Sequence, residues 1–386
     1  MALITVTGTA DLRRGDVRVH LDHERTLHRL AELVSVETPS GHIEGLLRCY
    51  RLLQEWGEPL FGRPAEIVTE DGTPHLLWRP VREPAILLLG HADTVWPLGT
   101  LAGWPFQADA DRASGPGVFD MKAGLVLALD ALGLAADTTH VGMLVTGDEE
   151  IGSPTSRALI EKVAAGASAV LVLEPSLGGA VKTARKGGSF YTVDIAGRAA
   201  HAGLEPELGI NAMLELAHQT LAVARLGDLA KGTTVTPTVA SAGTATNTVP
   251  AEASLRVDVR AWDKTELDRV HRVLGKLTAT LPGASVTVSG SINRLPLEPS
   301  SSRWLFALAR RISDQAGLGY LSEAAVGGAS DGNFTAALGI PTLDGLGPDG
   351  DGAHARHEWA DLASLRRRAI LVAGLLNAFA DPAALP

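Results

Sequence analysis

The chain has 386 residues, enough for two domains or for one domain with a large insertion. Hydrophobic residues make up 45% of it, which supports a sizeable core, and a formal charge of −10 argues against nucleic acid or an anionic membrane as partner. Its one cysteine, Cys49, excludes an intramolecular disulfide. The charged N-terminal stretch lacks a signal-peptide core and no apolar run reaches membrane-spanning length, so a cytoplasmic location is expected.

Apolar spacing predicts a helix over 21–35 and, after the Glu37-Thr38-Pro39-Ser40-Gly41 turn, a second over 43–56. Residues 65–68 and 75–79 read as a strand hairpin. Ala85-Ile86-Leu87-Leu88-Leu89-Gly90 is a continuous apolar run of the kind buried on both faces, and it stops at His91-Ala92-Asp93. A Gly-rich turn, 115–122, leads into an apolar helix over 123–134. Strand 141–145 is followed by Thr146-Gly147-Asp148-Glu149-Glu150, then by a helix over 154–165 and a buried strand over 169–173 that ends at Glu174-Pro175.

The pattern changes after Arg185-Lys186-Gly187-Gly188, read as a flexible basic hinge. Strands over 190–196, 233–242, 251–260 and 284–289 alternate with helices over 209–225 and 265–280. Helix 302–316, a Gly327-Gly328 turn, a short strand near 341–343 and a closing helix over 363–379 complete the chain. Alternating strands and helices predict an α/β catalytic domain with a doubly wound, mostly parallel sheet. The β-α-β-β-α-β middle predicts an inserted ferredoxin-like α+β lid. The expected divisions are 1–185 and 295–386 for the catalytic domain and 186–294 for the lid, whose outer helix and edge strand are candidates for dimer contact.

Ligands of doubly wound sheets bind beyond the carboxyl ends of the strands. His91, Glu149, Glu150 and Glu174 share that address, and Asp120 opens a helix beside it. Two adjacent glutamates at the end of a buried strand need a reason, because an unpaired buried carboxylate is costly. His91, Asp120, Glu150, Glu174 and His354 have metal-ligand chemistry, and imidazole with carboxylate suits zinc, with cobalt or manganese as substitutes. Five ligands exceed what one open catalytic zinc uses but suit two ions sharing one carboxylate and a water. Glu149 then remains to take a proton, and Asp93 is placed to accept the second N–H of His91 and fix its tautomer. Gly345-Leu-Gly347-Pro-Asp-Gly350 imitates a dinucleotide glycine pattern, but Asp349 and Asp351 would repel a pyrophosphate and no helix is expected to begin there.

His91-Ala-Asp93, Gly-Val-Phe-Asp120-Met-Lys, Asp148-Glu149-Glu150, Glu174-Pro175 and His354-Ala-Arg-His-Glu358 occur in that order. This ordered set resembles the zinc peptidases and amidohydrolases that include glutamate carboxypeptidase, aminoacylase, acetylornithine deacetylase and succinyl-diaminopimelate desuccinylase. The segment around His201 and Asn211 looks most like the glutamate carboxypeptidase branch. The resemblance implies His91 and Glu174 on one zinc, Glu150 and His354 on the other, and Asp120 between them. It further implies Glu149 as general base and acid, Asp93 orienting His91, and His201 reaching a partner subunit's site as an oxyanion donor. Asn247, Arg260 and Arg294 are implied substrate contacts. His357 competes with His354, which is preferred because the family's ligand stands four residues before a glutamate, here Glu358.

The expected activity is therefore two-zinc hydrolysis of an amide beside a C-terminal carboxylate-bearing residue of the glutamate type, in a homodimer acting on a small peptide or acyl-amino acid. An N-acyl amino acid deacylase is the alternative, and a metal-holding dimeric binding protein without turnover is the alternative of another class.

Overall fold

The computed structural model describes residues 21–83 and 85–380. The N-terminal stretch read above for a signal peptide lies outside the described residues. No helix among them is long and apolar enough to cross a membrane. The contacts divide the described residues into two compact units, one within 21–184, 299–325 and 330–380, the other of 185–298 with 326–329.

The first unit is mixed α/β. Its six-stranded sheet runs in the order Glu66–Glu70, Thr73–Trp78, Val141–Thr146, Ala85–His91, Ala167–Val172 and Thr342–Leu343. The last four are mutually parallel, and the opening hairpin is antiparallel. Every residue of Ala85–His91 is buried. The period of two sends Ile86 and Leu88 into one core and Leu87 and Leu89 into another. Helices His23–Val34, Ile43–Phe61, Ala123–Leu134, Pro299–Gln315 and Leu362–Ala380 supply the first core, and Arg157–Ala164 and Gly332–Ala337 the second. Both faces being covered explains why the strand is apolar without alternation. Helix Ala123–Leu134 is buried around nearly its whole circumference, which accounts for its lack of a polar face.

The second unit is a four-stranded antiparallel sheet, ordered Thr234–Ala242, Glu252–Ala261, Gly187–Ala196 and Ser285–Arg294. Val193, Ile195, Leu255 and Val257 face helices Ala212–Ala224 and Lys264–Leu274 across a separate core. Three expectations need correction. The basic segment at 185–188 is not a loop: Arg185 ends strand Val181–Arg185, exchanges backbone bonds with Leu297 at 3.0 and 3.1 Å, and Gly187 begins the next strand. The helix expected to reach 280 stops at Leu274, before Gly275, and Glu215 instead receives the amides of Thr280 and Leu281. The last strand extends to Arg294 through a register shift after Ile292.

Candidate metal centre and active site

Three neighbouring parallel strands each end at a candidate group. His91 is the last residue of its strand, Glu149 and Glu150 follow Thr146 in a single 3₁₀ turn, and Glu174 stands just beyond Val172. Asp120 lies in the non-helical stretch before Ala123–Leu134. His354 comes from the loop after Gly350–Asp351 and has a left-handed φ of 63°. Chain direction and sheet order therefore gather at one edge groups spread over more than half the sequence.

Asp120 is the centre of the cluster. Its Oδ1 lies 3.3 Å from His91 Nε2 and its Oδ2 3.4 Å from His354 Nε2. His91 Nε2 is also 3.4 Å from Glu174 Oε1, and His354 Nε2 is 3.1 Å from Glu150 Oε2. Ligand atoms of His91, Glu149 and Glu174, and of His91, Asp120 and Glu150, lie within 4.8 Å of one another. Zinc bonds of about 2.0–2.1 Å in a tetrahedron put neighbouring donor atoms roughly 3.3–3.4 Å apart, close to these separations. Glu150 Oε1 is buried without a hydrogen-bond partner among the described residues. The donor set thus fits a pair of cations, with Asp120 facing both positions. His357 is exposed and takes part in none of these pairs.

The electrostatics point the same way. Burial pushes the Glu150 carboxyl up to about 7, against the hydrogen bond from His354. Hydrogen bonds to Asp120 and Glu150 carry His354 up to about 10. Burial disfavours the charged form of His91, yet bonds to Asp120, Asp93 and Glu174 hold it well above the ordinary imidazole range. Burial likewise opposes ionisation of Asp120, but His354 and His91 keep it well below the usual carboxylate range. Protons on two imidazoles therefore stand where bound cations would balance a cluster rich in carboxylates.

Buried side chains from elsewhere in the unit clamp the turn that carries the glutamates. The Asp93 carboxylate, fully buried, accepts the amides of Glu149 and Glu150 at 3.1 Å each and the Ser40 hydroxyl at 2.6 Å. Asp93 was expected to hold His91 through that carboxylate, but the shorter contact from His91 Nδ1, 3.0 Å, goes to its backbone carbonyl, and the carboxylate oxygen is 3.4 Å away. His75 Nδ1 accepts the Gly147 amide at 3.2 Å, which puts its proton on Nε2, beside Thr155 Oγ1. Asp331 accepts from Thr146 Oγ1 at 2.9 Å and from Ser153 Oγ. Sequence reading missed His75 and Asp331, which carry no local signal. It named Glu358 only as a spacing mark, and that carboxylate receives four donors, three of them amides of the turn that carries Asp120.

The remaining candidates belong to the second unit. His201 lies opposite Thr248 in a two-residue strand pair, and Asn247 O accepts the Ala202 amide, so His201 and Asn247 are neighbours. The His201 ring is exposed, and its Nδ1 accepts the amides of Gly203 and Leu204 at 3.1 Å, which places its proton on Nε2 as an outward donor. Arg260 and Arg294 both lie opposite Gly188, from the two strands that flank it. Same-row residues two strands apart are roughly 9.5 Å apart, and Arg294 is buried while Arg260 is half-buried. Arg260 is already engaged through Nε and Nη2 by Asp258, at 2.8–3.2 Å.

Known proteins are similar to this chain in sequence and in fold. Residues 87–378 match the profile of peptidase family M20/M25/M40. The chain is 31% identical to carboxypeptidase G2 of Pseudomonas sp. (strain RS-16), over 97% of this chain and 95% of that protein. It is 28% identical to succinyl-diaminopimelate desuccinylase of Ectopseudomonas mendocina (strain ymp), over 69% and 75% of the two chains. Its fold is similar to that of the M20 family metallo-carboxypeptidase Sso-CP2 of Sulfolobus solfataricus, with a TM-score of 0.72 at 18% identity, covering 92% and 99% of the chains. A match across most of its length, with the motifs gathered at one sheet edge, shows that this chain belongs to peptidase family M20/M25/M40 and is an enzyme of the peptidase and amidohydrolase type.

Proposed function

We propose that the chain is a two-zinc hydrolase that releases a C-terminal carboxylate-bearing amino acid of the glutamate type from a small peptide or acyl-amino acid. The observation that carries this reading is Asp120, whose two oxygens face two different imidazoles while Glu149 stays beside the cluster. His91 with Glu174, and His354 with Glu150, would hold the two ions, with Asp120 between them. When bound, the ions polarise the scissile carbonyl and acidify the attacking water. Glu149 takes the proton from that water and returns it to the leaving amine as the C–N bond breaks. His201 of a second copy offers its Nε2–H to the developing oxyanion. Arg294 and Arg260, on either side of Gly188, receive the substrate carboxylate, with Asn247 near His201 contributing a further polar contact.

The dimer reading draws support from the second unit alone. Strand Thr234–Ala242 is an edge strand with Val239 exposed, and helix Ala212–Ala224, which packs beside it, exposes Met213, Leu214 and Leu221. Such an apolar edge is normally covered. The buried thiol of Cys49, pushed up to about 11 by burial, accords with a cytoplasmic protein that makes no use of it.

The desuccinylase relatives favour a second reading, removal of an N-acyl group from an amino acid. A panel of C-terminal glutamyl substrates, acetylornithine and acetyl-amino acids, offered to zinc-loaded protein and read by released amino acid, separates the two. Turnover confined to acyl groups on substrates lacking a C-terminal glutamate would overturn the first.

A further inference from the structure

Glu358 is outside the proposed ligand set, and its bonding explains why. Its carboxylate is fully buried. Oε1 accepts the amides of Phe119 and Asp120 at 2.8 and 3.0 Å, and Oε2 accepts the Gly117 amide at 3.1 Å and the Trp96 indole N–H at 3.0 Å. A carboxylate has about four lone-pair sites, so the group is saturated and has none left for a cation. Three of the donors belong to the turn that presents Asp120.

The same residue closes the loop that presents His354. The Ala355 amide bonds to the Gly352 carbonyl at 2.8 Å and the Glu358 amide to the Ala355 carbonyl at 2.9 Å. Gly352, with a φ of 80°, backs so closely on Glu358 that a Cβ there would stand 2.9 Å from its backbone. The imidazole facing Asp120 Oδ2 and the carboxylate holding the Asp120 amide are thus four residues apart on one tightened turn. Trp96 adds a third tether, from the segment that follows Asp93.

We propose that Glu358 is the positioning residue of the metal centre, coupling Asp120 to His354 so that the two sides of the shared carboxylate are set by one buried anion. The proposal rests on the two-ion reading above. A glutamine has nearly the same size but offers a single acceptor oxygen, and its NH₂ would face the donors on one side. Two of the four bonds are lost and the turn carrying Asp120 must shift. Removing a group that orients metal ligands typically weakens metal affinity by about 10–100-fold.

The test is titration of the metal-stripped protein with cobalt(II), followed by visible absorption and calorimetry, with thermal melting of the metal-free forms as the measure of folding. Wild type is expected to take up two equivalents. Glu358→Gln is expected to bind at least one of them about 10-fold or more weakly, with altered visible bands. Glu358→Asp keeps the charge but draws it back by about 1.5 Å, and is expected to fall between the two. A folded Glu358→Gln with both affinities within about threefold of wild type and an unchanged spectrum would overturn the assignment. If Glu358→Gln gives no folded protein, the same indifference in Glu358→Asp overturns it. Wild type taking up fewer than two equivalents would instead remove the two-ion reading.

Discussion

The cost of Gly117→Ala follows directly from the structure. Gly117 has a φ of 72°, and a Cβ built on it would stand 2.4 Å from Thr94 Cγ2. The left-handed backbone costs an alanine about 1–2 kcal/mol. The contact is more than 1 Å inside the roughly 3.5–4.0 Å optimum for carbon atoms. Thr94 has little room to yield, being buried with its amide held by the Thr38 carbonyl at 2.8 Å. Overpacking of that kind adds about 1–3 kcal/mol, for a combined loss of about 2–5 kcal/mol. Gly41 is the internal control: its φ is 84° but a Cβ there meets nothing within 4 Å, so Gly41→Ala should lose only the backbone part. Urea denaturation of the metal-stripped variants measures both without any contribution from binding. If Gly117→Ala lost no more stability than Gly41→Ala, the steric reading of the Asp120 turn would be wrong.

Glu149→Gln should retain two zinc ions by elemental analysis while kcat falls by about 10²–10⁴; near-normal turnover would remove the proton-transfer role. His354→Ala should lose one metal equivalent whereas His357→Ala keeps both, because only His354 faces Asp120 and Glu150. His201→Ala should lower kcat by about 10²–10³ with little change in metal content, and equal kcat in the two proteins would argue against an oxyanion donor. Stability of the metal-free protein should fall between pH 6.5 and 8. Glu150 is raised from 4.5 to about 7 and His354 from 6.5 to about 10, so the folded state holds more protons than the unfolded one there, and their stabilising share is lost as pH rises. Melting temperatures that rise across this window in chelator would contradict the sign.

The sheet was legible because its central strands are buried on both faces, leaving continuous apolar runs that end abruptly at His91 and Thr146. The candidate ligands were legible from the ordered set of motifs rather than from any one stretch, since a pair of glutamates before a helix is ordinarily a solvated cap. Other features depend on contacts distant in sequence and leave no local trace. His75 holds Gly147, Asp331 holds Thr146 and Ser153, and Glu358 holds the Asp120 turn, each across a long stretch of chain. The helix expected over 154–165 begins only at Arg157, because Ser153, at a φ of 59°, and Thr155 are tied into that same network. Strands of two or three residues, such as Gly350–Asp351 and Trp359–Asp361, are too short for any periodicity to show. The alternation over 284–289 gave no notice that the strand continues to Arg294, since Gly290 puts no side chain on the face of Val286 and Val288, and the register shifts beyond Ile292.

His91 and His354 lie on opposite sides of the inserted unit in sequence, although Asp120 joins them in space. During synthesis the first imidazole and three of the carboxylates emerge long before the second imidazole, a delay of roughly tens of seconds at ordinary ribosomal rates. Under the two-ion proposal His91, Asp120 and Glu174 are all made before the inserted unit, and only the ion held by Glu150 and His354 must wait until the segment bearing His354 has docked. Capture of that second ion is then a late event in the biogenesis of this enzyme.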